Sequence, residues 1–382
     1  METTITNARV VTPSEEFIGS VQIIDGKIAS VKTGTSGVAG AHDWGGDYLI
    51  AGIIDLHTDN LEKHYEPRPN VHWDPVGAAM AHDAQMAAAG VTTVLNALSV
   101  QGFRKGRDRL KKLRPILSGL KDAGKLGALR IDHKLHLRCE VSFPGLMDVL
   151  APLLDEPELS MLSIMDHTPG QRQYRNMTHE EMLELISAYV HTEEERQAAV
   201  EHFRHRANDG CDVENRAAVV EQARGLNIPL ATHDDETAEH IALAKSEGAG
   251  MAEFPVTMEA AQLARDEGLS VIMGGPNLLR GGSHSGNIAV AEVAEAGLLD
   301  VLASDYLPLS MIRSAFLLTD APFDWSVPEA MATVTDAPAM AVGLSDRGRI
   351  EAGRRADFIR VHKKDGEWPL VRETWVTGAR AA

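Results

Sequence analysis

The sequence predicts a (β/α)8 barrel of α/β class beside a small β-sandwich domain formed by both chain termini. Three observations predict it. Between about residues 49 and 345, eight short strand-like runs recur, most of them followed by a helical pattern. Alternating strand and helix argues for a parallel sheet, and eight repeats argue for its closure. Both ends of the chain read as β instead, and the residues fit for chemistry gather at the C-terminal ends of the central runs, where such barrels carry their active groups.

At the N-terminus, residues 3–11 and 20–31 read as short strands, with Asp25-Gly26 as a hairpin turn. The C-terminus mirrors this, with strand-like segments at 357–361 and 374–376 and turns at Gly353 and Gly366. The domains expected are therefore a β-sandwich from 1–48 and 346–382 and a barrel from 49–345. The barrel strands are placed at 49–57, 91–97, 126–140, 159–166, 228–233, 249–254, 269–273 and 299–304.

The length of 382 residues suits a barrel with an accessory domain. A net charge of −18 opposes nonspecific binding to nucleic acid or to anionic membranes, and requires a polyanionic substrate to find local cations. Cys139 and Cys211 imply no disulfide framework, which fits a reducing cytoplasm. No apolar run reaches membrane-spanning length, and the first residues lack the basic-then-apolar pattern of a secretory signal.

The first strand begins as a continuous apolar run, the mark of burial on both faces. It leads into His57, Asp59, Lys63 and His64, all able to bind metals or anions. Strand alternation places Asp55, His57 and Asp59 on one face. An imidazole and a carboxylate two residues apart at the end of a buried strand make half of a metal site. The competing reading is a hydrogen-bonded core histidine beside a helix-capping Asp. The cluster favours metal, because buried charges need partners.

On the third strand Leu135, Leu137 and Cys139 share one face, while His136, Arg138 and Glu140 share the other and point into the barrel. Glu140 is placed to reach a metal; a buried Arg138–Glu140 ion pair is the alternative. The fourth strand ends at Asp166-His167 before Pro169-Gly170, and the fifth at Thr232-His233-Asp234-Asp235. His167 and His233 are read as ligands, and Asp234 and Asp235 as helix N-caps. After the seventh strand, residues 274–287 hold five glycines with Arg280 and His284, a donor-rich loop of the kind that cradles phosphate, without the Gly-Lys-Ser/Thr ending of a Walker loop.

Two other regions leave alternatives open. Residues 178–208 are charged and helical in pattern, a lid or oligomer contact or a solvated helix. The basic run at 101–114 reads as phosphate attraction or as a solvated helix face.

The string Gly52-Ile53-Ile54-Asp55-Leu56-His57 resembles the first barrel strand of the amidohydrolase superfamily, with Asp59 where the second histidine of its motif stands. The longer string from His57 to His64, with 231–237 and 274–287, resembles the phosphonate-metabolism branch of that superfamily. The resemblance spans essentially the whole chain. It implies an amidohydrolase-type barrel and one or two divalent ions (zinc, manganese, iron or magnesium), held by His57, Asp59, Glu140, His167 and His233. It makes Asp305, after the eighth strand, the catalytic Asp that takes a proton from water. No Lys ends the fourth strand, so Glu140 takes the place of the superfamily's bridging carboxylated lysine, and Glu253 stands where many relatives carry a ligand histidine on the sixth strand.

A bound ion lowers the pKa of its water toward ~7, and two ions ~3.5–4 Å apart neutralise phosphate oxygens during in-line attack. The bond cleaved is implied by the resemblance: the triphosphate of ribose 1-methylphosphonate 5-triphosphate, releasing pyrophosphate in the carbon–phosphorus lyase pathway. Lys63, His64, Arg138, Arg280 and His284 are the expected phosphate contacts. The expected partner is thus a small phosphorylated sugar, with no nucleic acid and no membrane, and a homo-oligomer is the expected assembly. The alternatives are an amidohydrolase that opens a cyclic amide or deaminates a ring, whose neutral substrate gives Lys63, His64 and the Arg280 loop nothing to bind, and a barrel that serves as a non-catalytic scaffold.

Overall fold

The structure, a computed structural model, describes residues 2–68, 71–101, 109–168, 172–175, 181, 210–283 and 286–382. Two eight-stranded sheets organise the described chain. The first is mixed and comes from both termini. Its strands are β1 (Glu2–Val11), β2 (Glu16–Ile24), β3 (Lys27–Thr33), β4 (His42–Asp43), β5 (Tyr48–Ala51), and, from the far end of the chain, Phe358–His362, Leu370–Val376 and Ala379–Arg380. Strand β5 pairs with β1 on one side and Phe358–His362 on the other, so it ties the two chain ends together. The β2–β3 turn is Asp25-Gly26, with φ of 49° and 77°, the pair of positive angles that a tight two-residue hairpin needs.

This sheet separates two cores. Leu49 and Ala51 face a compact cluster with Ile5, Val10, Val21, Trp44, Phe358 and Trp375. Ile50, Ile359 and Val361 face the other way, onto the helical shell of the barrel. The predicted first strand, 49–57, is thus two strands. At Gly52 the chain leaves the terminal sheet and enters the barrel, and an added Cβ there would collide with the Thr92 side chain.

The second sheet is wholly parallel and takes its strands in sequence order: β6 (Ile53–Thr58), β7 (Val91–Val100), β8 (Asp132–Glu140), β9 (Leu159–Met165), β10 (Leu230–His233), β11 (Met251–Glu253), β12 (Ser270–Gly274) and β13 (Val301–Ala303). All eight predicted strands are present. The barrel meets itself at a parallel bridge between Thr58 and Asp305, where Asp59 N donates to Asp305 O (2.6 Å) and Asp305 N donates to His57 O (2.9 Å).

Ile54, Leu56, Leu95, Met161, Met251, Ile272 and Val301 fill the interior, with Ala339 of the helix Asp336–Ala341 packed against them. The alternate residues, such as Leu135, Leu137 and Cys139 of β8, pack outward on helices. That is the division of faces the β8 sequence predicted. Among the described residues no helix is long and apolar enough to cross a membrane.

Candidate metal centre and active site

The candidate groups stand where the barrel strands end. His57 is the penultimate residue of β6, and Glu140, His233 and Glu253 are the last residues of β8, β10 and β11; His167 and Asp305 follow β9 and β13 by two residues. Simple alternation fails at the first strand. The ladder between β6 and β7 is irregular from Asp55 to Thr58. Through that irregularity both Leu56 and His57 reach the barrel interior, Leu56 in the apolar cluster and His57 against Glu253. A bulge of this kind re-aims a side chain at a barrel rim.

Glu253 organises the histidines. It is fully buried, and its two oxygens accept from His57 Nδ1 (3.0 Å) and His233 Nδ1 (3.2 Å). Burial works against its charge, but the imidazoles of His136 and His57 outweigh it and hold the carboxyl well below its usual range. A charged Glu253 favours the proton on Nδ1 of both rings, so that Nε2 is the atom through which each ring can accept or ligate.

His136, which β8 alternation placed inside, donates from Nδ1 to Leu56 O (3.1 Å) and accepts at Nε2 from Ser163 Oγ (2.8 Å) beneath them. Burial drives its pKa down to about 3, so it stays neutral. His57, His136 and Glu253 have ligand atoms close enough to hold an ion, yet those atoms are already bonded to one another or to neighbours.

A second group is different. The Nε2 atoms of His167 and His233 each lie 3.6 Å from Asp234 Oδ2. That oxygen is buried and, among the described residues, makes no hydrogen bond. A buried carboxylate oxygen without a donor, facing two imidazole nitrogens, suits a divalent cation.

Burial opposes protonation of His167, but Glu140 and Asp234 outweigh it and raise its pKa to about 9. Burial likewise opposes the charge of Asp234, and His233 and His167 overcome it and lower its pKa. A proton on His167 and a divalent cation are thus favoured by the same two carboxylates.

Asp234 is not the N-cap that its sequence suggested. Thr237 caps the helix Ala238–Glu247 by accepting from His240 N, and Asp235 accepts from Arg172 Nη1 (2.6 Å) and from Thr232. A β-hydroxyl residue directly before the helical pattern was the signal for the true cap. Arg172 was not singled out by the sequence; it is buried and also donates to His233 O (2.9 Å).

Asp234, Phe254 and Asp305 adopt φ of 56°, 53° and 55°, each just beyond a strand end. Left-handed backbone is costly for Phe, and such strain clusters where function overrides local preference. Phe254 sets its ring edgewise to His57 and His233, with centroids 4.9 and 5.3 Å away.

The other predicted groups divide. Arg138 is buried, donates from Nη1 to Asp59 Oδ1 (2.9 Å), and brings Nη2 to 3.5 Å from His233 Nε2. Its partner is Asp59 and not Glu140. Glu140 accepts from His167 Nδ1 (2.7 Å), His167 N (3.1 Å) and Ser142, which makes it an anchor for His167. Asp305 is half-buried, and desolvation of its carboxyl raises its pKa.

Lys63 Nζ donates to Tyr306 O (2.9 Å) and lies 4.9 Å over the Tyr306 ring; burial lowers its pKa. His64 is not brought to the cluster: its Nε2 meets Gln85 Oε1 (2.8 Å), on the helix Pro75–Ala88. Arg280 is exposed at the end of the helix Gly275–Arg280, which replaces the first half of the predicted loop because Pro276 favours a helix start. His284, residues 178–208 apart from Glu181, and Arg104, Lys105 and Arg107 of the basic run lie outside the described residues. Lys112 of that run pairs with Glu66.

A closed parallel barrel with imidazoles and carboxylates at its strand ends is the frame of a metal-dependent hydrolase. The chain belongs to the amidohydrolase family, whose profile matches residues 172–381. It is 38% identical, over 98% of its length and 99% of the relative's, to alpha-D-ribose 1-methylphosphonate 5-triphosphate diphosphatase from Escherichia coli. Among solved structures, N-acetyl-D-glucosamine-6-phosphate deacetylase from Mycobacterium smegmatis superposes with a TM-score of 0.64 at 16% identity, covering 100% of both chains. The 5-methylcytosine deaminase from Klebsiella pneumoniae does so with a TM-score of 0.61 at 16% identity, over 99% of this chain and 97% of that one. At such identities the likeness speaks for the fold alone.

Proposed function

We propose that the protein is a metal-dependent hydrolase that cleaves alpha-D-ribose 1-methylphosphonate 5-triphosphate to the 5-phosphate and pyrophosphate, in phosphonate catabolism. The observation that carries this reading is the end-to-end match, at 38% identity, to a protein of that activity. The site agrees with it. Arg138 and Lys63 lie beside Asp59 and Asp305, and a neutral amide gives these cations nothing to bind.

His167, His233 and Asp234 are the groups suited to hold a divalent ion, with His57 and Asp59 alongside and Glu140 and Glu253 fixing the rings. A bound ion supplies positive charge to phosphate oxygens and makes a water molecule more acidic. Asp305 takes the proton of the attacking water, a role that its burial-raised pKa favours. The water oxygen bonds to the α-phosphorus. The bond from that phosphorus to the oxygen bridging it to the β-phosphorus breaks, and pyrophosphate leaves with the electron pair. Arg138, Lys63 and, at the exposed end of the helix Gly275–Arg280, Arg280 receive phosphate oxygens, a role the sequence also assigns to His284. The cytoplasm is the compartment in which Cys139, buried, and Cys211 stay reduced.

Phosphorus NMR of the metal-loaded protein with this triphosphate tests the reading. Pyrophosphate is expected with the unaltered chain and a loss of two or more orders of magnitude in rate with Asp305→Asn. Intact triphosphate in protein that demonstrably holds metal would sink the substrate assignment.

A further inference from the structure

Arg138 occupies the place of a cation. A metal ion between the ends of β6 and β10 would draw on Asp59 and on the open Nε2 of His233. The guanidinium takes the Asp59 oxygen, with Nη1 2.9 Å from Oδ1, while its Nη2 comes only to 3.5 Å from His233 Nε2, a length that leaves the nitrogen lone pair to the neighbouring position. His57 Nε2 lies 4.0 Å from the same Asp59 oxygen, so the guanidinium holds the carboxylate that a second ion beside His57 would need.

The side chain is buried, with 7% of its surface exposed, and it extends from a central β8 position between two paired strands. A guanidinium cannot lose its proton in a protein. Its charge is therefore permanent, unlike that of an exchangeable ion, and it repels a second cation placed against it.

The neighbouring position has the opposite character. His167, His233 and Asp234 bring ligand atoms within 4.8 Å of one another, and each Nε2 lies 3.6 Å from Asp234 Oδ2. Asp234 is 5% exposed, and its Oδ2 has no hydrogen bond among the described residues. Here two imidazole nitrogens and a buried carboxylate oxygen without a hydrogen-bond donor converge on one point. One position has a built-in cation and the other lacks one.

We propose that the protein binds a single divalent ion per chain, at His167, His233 and Asp234, and that the Arg138 guanidinium serves as the fixed second cation above His57 and Asp59. The ion count stands independently of the substrate. Only its consequence for hydrolysis rests on the proposed function: Arg138 would meet the phosphate oxygens that a second ion meets elsewhere. This arrangement needs only one metal ion to be captured, and its second positive charge is not removed by chelators.

The test counts metal without substrate. The full chain is loaded with Mn²⁺ and desalted. Metal per chain is measured by mass spectrometry, and the Mn²⁺ resonance is recorded by electron paramagnetic resonance. The unaltered protein and Arg138→Lys are expected to hold one equivalent with the spectrum of an isolated ion. Arg138→Met is expected to hold two at saturation, with the broadened, exchange-coupled spectrum of a close pair. Asp59→Asn should keep its one equivalent, whereas Asp234→Asn should weaken binding at least tenfold.

Two equivalents in the unaltered chain would overturn the proposal. So would one equivalent in Arg138→Met shown by circular dichroism to be folded, or loss of the ion in Asp59→Asn. Failure of the diphosphatase assay would leave the count untouched, so the two conclusions fail separately.

Discussion

Replacing Glu253 by Gln tests how the histidines are aimed. The carboxylate is completely buried and accepts from two Nδ1–H groups, at 3.0 Å from His57 and 3.2 Å from His233. A Gln amide has nearly the same shape but offers one acceptor and one donor group. One imidazole then faces a donor with its own N–H and must move its proton to Nε2. If His233 yields, its Nε2 can no longer ligate. If His57 yields, the ion still loses the negative charge behind its ligands.

Removal of such an outer carboxylate costs 10–100-fold in metal affinity, or about 1.4–2.7 kcal/mol. The lost charge-assisted hydrogen bond adds a stability cost of roughly 1.5–3 kcal/mol. Competition with a chelator gives the affinity, thermal unfolding gives the stability, and nitrogen-15 NMR of the histidine rings identifies the tautomers. An affinity within twofold of the unaltered protein, with both rings still protonated at Nδ1, would refute this account of Glu253.

Two further predictions concern protons and packing. Free His167 titrates at about 9, because Glu140 and Asp234 outweigh the effect of burial. That is above the unfolded value of ~6.5, so the metal-free protein has the full stabilisation below pH ~6.5 and loses on the order of 3 kcal/mol as pH rises through 9. Metal uptake at pH 7 should accordingly release about one proton, measured by calorimetry in buffers of different ionisation heat; no release would refute the assignment. At the opposite end of the barrel, Arg347 is buried, donates to Thr93 Oγ1 (2.9 Å) and pairs with Asp132, which Arg355 also holds at 3.2 Å. Arg347→Ala should lower stability by ~2–3 kcal/mol, less than a fully stranded buried pair would cost, and leave the turnover of folded protein unchanged; a fall in turnover at constant melting temperature would contradict it.

Legibility in the sequence followed the periodicity of the signal. Each barrel strand is a short apolar run between turn residues, and burial on both faces produces that run wherever the strand lies. The β8 alternation was legible because it is undisturbed: Leu135, Leu137 and Cys139 go out while His136, Arg138 and Glu140 go in. On β6 the same rule grouped Asp55 with His57, and the irregular ladder between Asp55 and Thr58 breaks it. Nothing in the identities of those residues announces a bulge.

Asp234 was hidden for a different reason. Its chemical type fits a cap as well as a ligand, and only the three-dimensional approach of His167 decides between them. Glu253 carried a signal that went unused, since a carboxylate ending a buried apolar strand must have partners. The glycines of 274–287 suggested a continuous loop, but Gly281, at φ 76°, closes a helix that Pro276 begins.

The seam between the first and last barrel strands links fold to chemistry. Asp305 N donates to His57 O, Asp59 N donates to Asp305 O, and Ser304 N donates to the buried Asp55 at 3.1 Å. The same few contacts that close the barrel therefore set the proposed base beside His57 and Asp59. Those residues are separated by some two-thirds of the chain, so the site cannot assemble in any partly folded form that lacks β13, and closure carries the loop entropy of a very long connection. The terminal sheet lowers that demand. Strand β5 runs directly into β6 and also pairs with Phe358–His362, which holds the start of the first barrel strand near the segment that follows the last one. On this argument the two chain ends form one sheet because the barrel needs its first and eighth strands registered to within a single residue. A slip of one position would turn Asp305 away from the histidines while leaving most of the apolar core intact.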